Sequence, residues 1–351
     1  MISIRRIRLT WFPVSVLLGM VLCWYFLRLI QNTPGRDIDL TKKIKDLPVL
    51  HDESPDLRII VLAYNRSKSL LRLLKSVALA DYLGDKVVMD IWIDRSVDGS
   101  VDNDTVKVAM DFRFKFGEKA VHVHNKHKGI LKQWLETWKF KENLREICAY
   151  LEDDLTVSPY FYRWLKSVYK TFNSDDRISA FTLQGAGTIH SGVKVIENII
   201  VPDKHLTYLY SMPGTWGFSP KRKQWQEFIN WYDEMSKEKE FHPIIPNDIS
   251  TIWYMENKKK GTLENMWSMW FIYYNRSFKK YVLYPNIQPI FQGFSVNWKE
   301  PGMNSYGHDN KPVSGSLVVD WSDKYESLSS IPPIVLTNGT VIKELNTKIV
   351  V

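Results

Sequence analysis

The sequence predicts an α/β fold built on an open, mostly parallel sheet with helices on both sides. Three observations lead there. Short apolar runs alternate with segments whose apolar residues recur at helical spacing. The first runs end on polar or acidic residues, which in such sheets gather at one edge. The aromatic content (14 Trp, 17 Tyr and 16 Phe in 351 residues) gives ample material for a core.

Leu9 to Leu27 carries no charged side chain. As a helix it would span roughly 28 Å, close to the hydrocarbon thickness of a bilayer. Arg5, Arg6 and Arg8 precede it, so the positive-inside rule keeps residues 1–8 cytoplasmic and sends the rest across. The expectation is a type II anchor over 9–30, single-pass, with a lumenal catalytic domain. A cleaved secretory signal is the competing reading. Against it stand the length of the run and its bulky end at Trp24, Tyr25, Phe26 and Leu27, which has no small-x-small site. Residues 31–56 are polar, with Pro34, Pro48 and Pro55, and read as a stem.

From Arg58 the texture changes. Arg58 to Tyr64 is nearly continuous in apolar residues, as a strand buried on both faces must be, and Asn65-Arg66-Ser67 turns the chain. Leu70, Leu71, Leu74, Val77 and Ala78 mark a helix, and Val87 to Ile93 a second strand ending on Asp94. The cycle repeats with a helix over Val106–Phe116, a strand over Ala120–His124 and a helix over Ile130–Trp138. The strand Ile147–Leu151 then runs into Glu152-Asp153-Asp154. Beyond, helices are expected over Tyr160–Phe172, Lys221–Tyr232 and Glu264–Tyr274, with strands over Ile178–Leu183 and Tyr281–Tyr284. The domain reading is a ligand-binding half over 57–172, an acceptor-side half over 173–315 and a C-terminal extension over 316–351.

The net charge of +8 comes from scattered basic residues; Lys258-Lys259-Lys260 is the uninterrupted triple of the lumenal part and reads as a solvated loop. With a membrane anchor, this argues against nucleic acid as a partner. The two cysteines, Cys23 in the apolar run and Cys148, are not positioned to pair. Asn65, Asn103, Asn275 and Asn338 begin N-glycosylation triplets, a pattern common by chance.

Three adjacent carboxylates closing a buried strand repel one another and need a cation. A divalent ion supplies one: Mg²⁺ or Mn²⁺ takes one or two carboxylates and completes its shell with phosphate oxygens and water. The plainer alternative is an acidic turn ahead of a helix that Ser158-Pro159 would start. The position after a buried strand, in line with Asp94, favours the metal.

Leu57 to Phe172 resembles the nucleotide-binding half of GT-A-fold glycosyltransferases. The segment Tyr150-Leu151-Glu152-Asp153-Asp154-Leu155-Thr156-Val157-Ser158-Pro159-Tyr160-Phe161 is similar to the Glu-Asp-Asp segment of the N-acetylglucosaminyltransferase I family. The resemblance implies a GT-A (Rossmann-like) domain that transfers a sugar from a UDP-sugar, with N-acetylglucosamine the donor sugar, to a glycan or glycoprotein acceptor in the Golgi. It implies Mn²⁺ (or Mg²⁺) on Asp154, with Glu152 and Asp153 in support and Arg66 and Asp94 contacting the nucleotide. Gly214-Thr215-Trp216-Gly217-Phe218 resembles a segment beside the donor sugar, which makes Trp216 a donor-site residue.

Met266-Trp267-Ser268-Met269-Trp270 resembles the family's Trp-Asp-Asp-Trp segment but lacks its Asp, the catalytic base; Ser268 and Met269 stand there instead. Neither is a carboxylate. Glu264, one helical turn before Ser268, and Asp248 are the substitute base candidates. Gly293 to Asn310 reads as a loop closing over nucleotide, with Ser305 on the diphosphate and His308 on the diphosphate or metal. His122, His124 and His127 do not read as zinc ligands, because no thiol is near and alternate strand positions explain the first two. The missing base keeps a second reading open: a GT-A-like domain that binds nucleotide or glycan without turnover.

Overall fold

The computed structural model describes residues 54–139, 146–185, 188–191, 194–287, 292–300, 316–329 and 331–342. The tail and anchor expected over 1–30, and the stem up to residue 53, lie outside the described residues. Among the described residues no helix is long and apolar enough to cross a membrane.

In chain order the first elements are β1 (Leu57–Ala63), α1 (Ser67–Val77), β2 (Val87–Ile93), α2 (Asn103–Asp111), β3 (Gly117–Val123), α3 (Gly129–Glu136) and β4 (Ile147–Glu152). There follow β5 (Leu155–Val157), α4 (Phe161–Phe172), β6 (Ile178–Thr182), β7 (Thr188–Ser191), β8 (Lys194–Asn198), β9 (Thr207–Tyr210) and β10 (Phe218–Pro220). The remainder is α5 (Arg222–Met235), α6 (Ile249–Lys260), a 3₁₀ turn at Leu263–Asn265, α7 (Trp267–Ser277), β11 (Tyr281–Pro285), β12 (Ser295–Asn297), a 3₁₀ turn at Asp323–Glu326, β13 (Ile334–Val335) and β14 (Val341–Ile342).

Ten strands form one sheet in the order β14-β13-β9-β11-β6-β10-β4-β1-β2-β3. β3, β2, β1 and β4 are mutually parallel. β10 is antiparallel to both β4 and β6, β11 is parallel to β6, and β9 is antiparallel to β11. The sheet is therefore mostly parallel, as expected of a GT-A-like fold, with its reversed strands confined to the second half. It runs without a break across the boundary expected at residue 172. The C-terminal extension contributes β13 and β14 to its edge.

β1 is apolar apart from Arg58 because both neighbours and both faces bury it. Its alternate residues serve two cores. Ile59 and Val61 pack with Leu70, Leu73, Leu74 and Val77 of α1, while Ile60 and Leu62 pack with Trp134 of α3 and with Tyr150 and Phe218. Each fully buried aliphatic side chain in these layers contributes roughly 1.5–3 kcal/mol.

Three expectations are corrected. The helix expected over Val106–Phe116 is α2, which starts at Asn103 under an Asp102 cap that accepts from the Thr105 amide at 2.8 Å, and ends at Asp111. Phe112, Phe114 and Phe116 recur at period two, an extended pattern, and Phe114 and Phe116 pack on Tyr82 with centroids 6.1 and 4.7 Å away. Lys258, Lys259 and Lys260 are the last turn of α6, ahead of the left-handed Gly261 cap, where positive charge complements the helix dipole. The expected closing loop begins instead with β12, which pairs antiparallel with β5 so that Asn297 faces Leu155.

The parallel half fixes where a ligand sits. From β1 the chain winds one way to β2 and β3 and then returns to the other side of β1 as β4. This reversal opens a crevice beyond the carboxyl ends of β1 and β4, the topological switch point of an open α/β sheet.

Candidate active site at the switch point

A cavity occupies that crevice, lined among others by Arg66, Asp94, Glu152, Asp153, Asp154 and Trp216. These six residues were all singled out from the sequence. Arg66 follows β1 and sits at the N-cap of α1; the acidic triplet ends β4, which pairs with β1 in register as far as Leu62 and Glu152.

The Arg66 guanidinium donates to Asp153 Oδ1, and its Nη1 lies 3.3 Å from Asp154 Oδ2, an ion-pair contact. Burial works against the arginine's charge, but Asp153, Asp154 and Glu152 outweigh it and raise its pKa. One cation does not neutralise three buried carboxyls. Desolvation and the Asp154 charge push Glu152 up to about 8, against the opposing effects of Trp134 and Arg66. Desolvation pushes Asp153 up to about 6, although Arg66 opposes it. Asp154 is also raised, by desolvation above all, with Arg66 and a hydrogen bond from Asn297 opposing.

Two carboxylate oxygens, Asp153 Oδ2 and Asp154 Oδ1, are buried with no hydrogen-bond partner, and Arg66 Nη1 makes only its ion-pair contact with Asp154 Oδ2. Buried polar atoms without partners are rare and call for an explanation. A divalent cation with an anionic ligand supplies one, the oxygens taking the cation and the guanidinium the anion. Among the described residues no three His, Cys, Asp or Glu side chains are grouped to hold a metal ion by themselves. One or two carboxylates plus diphosphate oxygens is nevertheless the usual coordination of Mg²⁺ in nucleotide sites, and this donor set fits it.

The triplet is held from two sides. The Trp134 indole N–H of α3 donates to Glu152 Oε1 at 2.9 Å. Trp134 is itself stacked between Tyr150 at 4.8 Å and Trp267 at 4.1 Å, so it has little freedom to move. On the other side, the Trp298 amide donates to the Asp154 carbonyl at 2.8 Å.

Asp94 lines the cavity, and its two oxygens accept from the amides of Lys128 at 2.9 Å and Gly129 at 2.8 Å. It therefore caps the start of α3, with Gly129 in the left-handed region at φ 70°. His127 also lines the cavity: its Nδ1 is 2.6 Å from the Arg95 carbonyl and 3.4 Å from Asp94 Oδ2. The sequence reading passed over His127, whose signal was its place just beyond the β3 end on the same sheet edge. Thr215 and Trp216 close the opposite wall, and the Ser295 hydroxyl donates to the Trp216 carbonyl. Gly217 has φ 78°, and a Cβ there would lie 2.7 Å from the Leu183 side chain, so the turn into β10 requires glycine.

The base candidates do not converge on the cavity in the same way. Asp248 caps α6 by accepting from the Ser250 amide at 2.9 Å, and its other oxygen pairs with Arg276. It is absent from the cavity lining. Glu264 falls in the 3₁₀ turn Leu263–Asn265, with its side chain outside the described part; its neighbour Asn265 lines the cavity. Ser305 and His308 lie outside the described residues. Met269 is fully buried in α7. His122 pairs with Asp90 at 2.8 Å and stacks on Trp92, and His124 stacks on the same ring at 5.1 Å. Asn275 is completely buried, which excludes glycosylation of its triplet in the folded chain.

No protein-family model matches the chain, and no curated protein matches its sequence. Among solved structures it is similar to TarS 1–349 of S. aureus, with 14% identity over 66% of this chain and 60% of that one and a TM-score of 0.37. It is also similar to TarS 1–349 in complex with UDP-GlcNAc, with 14% identity over 39% of this chain and 38% of that one and a TM-score of 0.28. A third likeness is to the mannosyltransferase PcManGT from Pyrobaculum calidifontis in complex with GDP-Man and Mn²⁺, with 14% identity over 68% and 60% of the two chains and a TM-score of 0.32. The chain thus spans about 60% of the length of TarS 1–349 and of PcManGT. Likeness at this level assigns no function, which must be argued from the site.

Proposed function

We propose that this chain is a metal-dependent glycosyltransferase that moves a sugar from a UDP-sugar to a hydroxyl of a glycan or glycoprotein. The observation that carries the reading is the pair of buried, unpartnered carboxylate oxygens on Asp153 and Asp154, beside the Arg66 guanidinium, in a switch-point cavity. A cation would be held by Asp154 with Asp153 beside it, and when bound would offset the charge that grows on the nucleoside diphosphate as the sugar departs. Arg66 holds the diphosphate and orients the acidic pair. Trp134 keeps Glu152 turned toward the cavity, and Trp216 offers the donor sugar a ring face. N-acetylglucosamine as the sugar, inversion at the anomeric carbon, and the Golgi lumen as the site of action behind a type II anchor belong to this same proposal.

Glu264 is the base we retain, since it adjoins the cavity-lining Asn265, while Asp248 has both oxygens engaged. A second reading, nucleotide or glycan binding without turnover, is favoured by Ser268 and Met269, which stand where a carboxylate base is expected.

The test is release of UDP from UDP-N-acetylglucosamine by the full chain in detergent, with and without Mn²⁺. Slow metal-dependent release by wild type, lost in Asp154→Ala, is expected of the enzyme. Equal release by the two proteins would remove the enzyme reading. Donor binding without release would favour the binder.

A further inference from the structure

Asp154 is gripped by the first residues of the segment expected to close over nucleotide, Gly293 to Asn310. β12 pairs with β5, the strand leaving the acidic triplet, in the register Ser295↔Val157, Val296↔Thr156 and Asn297↔Leu155. Asn297 is buried, lines the cavity and donates a side-chain hydrogen bond to the Asp154 carboxylate. The next residue, Trp298, donates its amide to the Asp154 carbonyl at 2.8 Å and its indole N–H to Thr156 Oγ1 at 2.7 Å. Both the main chain and the side chain of Asp154 are thus held by consecutive residues of one strap.

The strap is in turn tied to α1, the helix that begins at Arg66. The Arg72 guanidinium lies over the Trp298 ring, 4.5 Å from its centroid, and pairs with Glu300, which is also buried. A planar guanidinium that stacks and pairs at once fixes both partners, which a lysine would not do. The arrangement leaves Asp154 Oδ1 without a protein partner while Oδ2 lies within reach of Arg66.

We infer that Asn297 is a positioning residue that turns Asp154 so that one carboxylate oxygen stays open to a divalent cation, and that the Arg72–Trp298–Glu300 latch holds Asn297 in place. The inference rests on the proposed function, and specifically on metal binding at Asp154. Groups that orient a metal ligand influence affinity without touching the ion.

The experiment is a Mn²⁺ titration of the full chain in the presence of UDP, following the loss of the free Mn²⁺ paramagnetic resonance signal. Proteins compared are wild type, Asn297→Ala, Arg72→Ala and a matched control, Arg163→Ala. Arg163 also stacks on a tryptophan, Trp321 at 4.5 Å, and pairs with Glu326, but neither partner lines the cavity. Asn297→Ala should weaken Mn²⁺ binding about 10-fold, in line with the loss of a group that orients a metal ligand. Arg72→Ala should weaken it less, and Arg163→Ala should bind like wild type. Should Asn297→Ala fail to fold by its melting curve, Arg72→Ala carries the test. Wild-type affinity in the folded variants, or an equal loss in Arg163→Ala, overturns the inference and leaves the metal reading standing. A wild type that binds no Mn²⁺ removes the metal reading and the inference together.

Discussion

Two arginine–aspartate constellations in this protein look alike by distance and differ in what they leave over. Arg276 pairs with Asp248, and Asp248 spends its other oxygen on the first turn of α6, so both carboxylate oxygens are taken. Arg66 pairs with Asp153 and Asp154, yet one oxygen of each aspartate remains buried without a partner. The first leaves no carboxylate oxygen over, only Arg276 Nε, which is buried without a hydrogen-bond partner. The second keeps two unused carboxylate oxygens on the wall of a cavity. A buried ion pair is therefore weak evidence of function by itself, and the atoms left unsatisfied around it are the stronger signal.

The largest effect that separates the two is expected from Asp154→Ala, which should lower metal-dependent UDP release at least about 100-fold while leaving the chain folded. Asp248→Ala should do the reverse. Removing a cap and one partner of a buried pair should cost about 3–5 kcal/mol of stability in denaturant unfolding, with Mn²⁺ affinity unchanged in the protein that remains folded. If Asp248→Ala abolished Mn²⁺ binding at full stability, the contrast would fail.

A smaller effect is expected from Trp134→Phe, which preserves the stack between Tyr150 and Trp267 but deletes the N–H that Glu152 accepts. UDP release should fall by about 10-fold, a loss on the scale of one buried hydrogen bond. Restoration of activity by Glu152→Gln in the same chain would argue that the indole serves another purpose.

The smallest effect concerns pH. The folded Glu152 titrates at about 8 instead of 4.5, so the folded state binds its proton more tightly than the unfolded chain does. Stability of the metal-free protein should then decline as pH rises from about 4.5 toward 8. Glu152→Gln should flatten that decline, and melting temperatures measured in chelator across this range would show it. A wild-type curve as flat as that of the variant would mean that Glu152 is ionised already.

Much of the parallel half was legible in the sequence because its signals are local. β1 and β4 are continuous apolar runs, and α1 carries an apolar stripe at helical spacing. The switch-point rule then brings Arg66 and Glu152-Asp153-Asp154 to one edge. What escaped depends on distant partners. β5 and β12 are three residues each and exist through pairing between positions 138 to 142 apart, from Ser295↔Val157 at one end to Asn297↔Leu155 at the other. That Asn297 and Trp298 hold Asp154 therefore has no local signature. Asp94, expected at the nucleotide, lines the cavity and also caps α3, whose first amides lie 34 and 35 residues further on, a partnership with no local signal. The helix α6 went unread because it buries only Ile249, Ser250 and Tyr254, too sparse a stripe to show a period.

The central claim is that the open constellation at the end of β4 holds a divalent cation together with a nucleoside diphosphate. The most direct test is a crystal of the protein grown with Mn²⁺ and UDP, with diffraction recorded on both sides of the manganese absorption edge. An anomalous peak within coordination distance of the Asp154 carboxylate, with UDP phosphate against Arg66, is the predicted result. UDP seated in the cavity with no manganese beside Asp154, or manganese bound elsewhere on the chain, would contradict it.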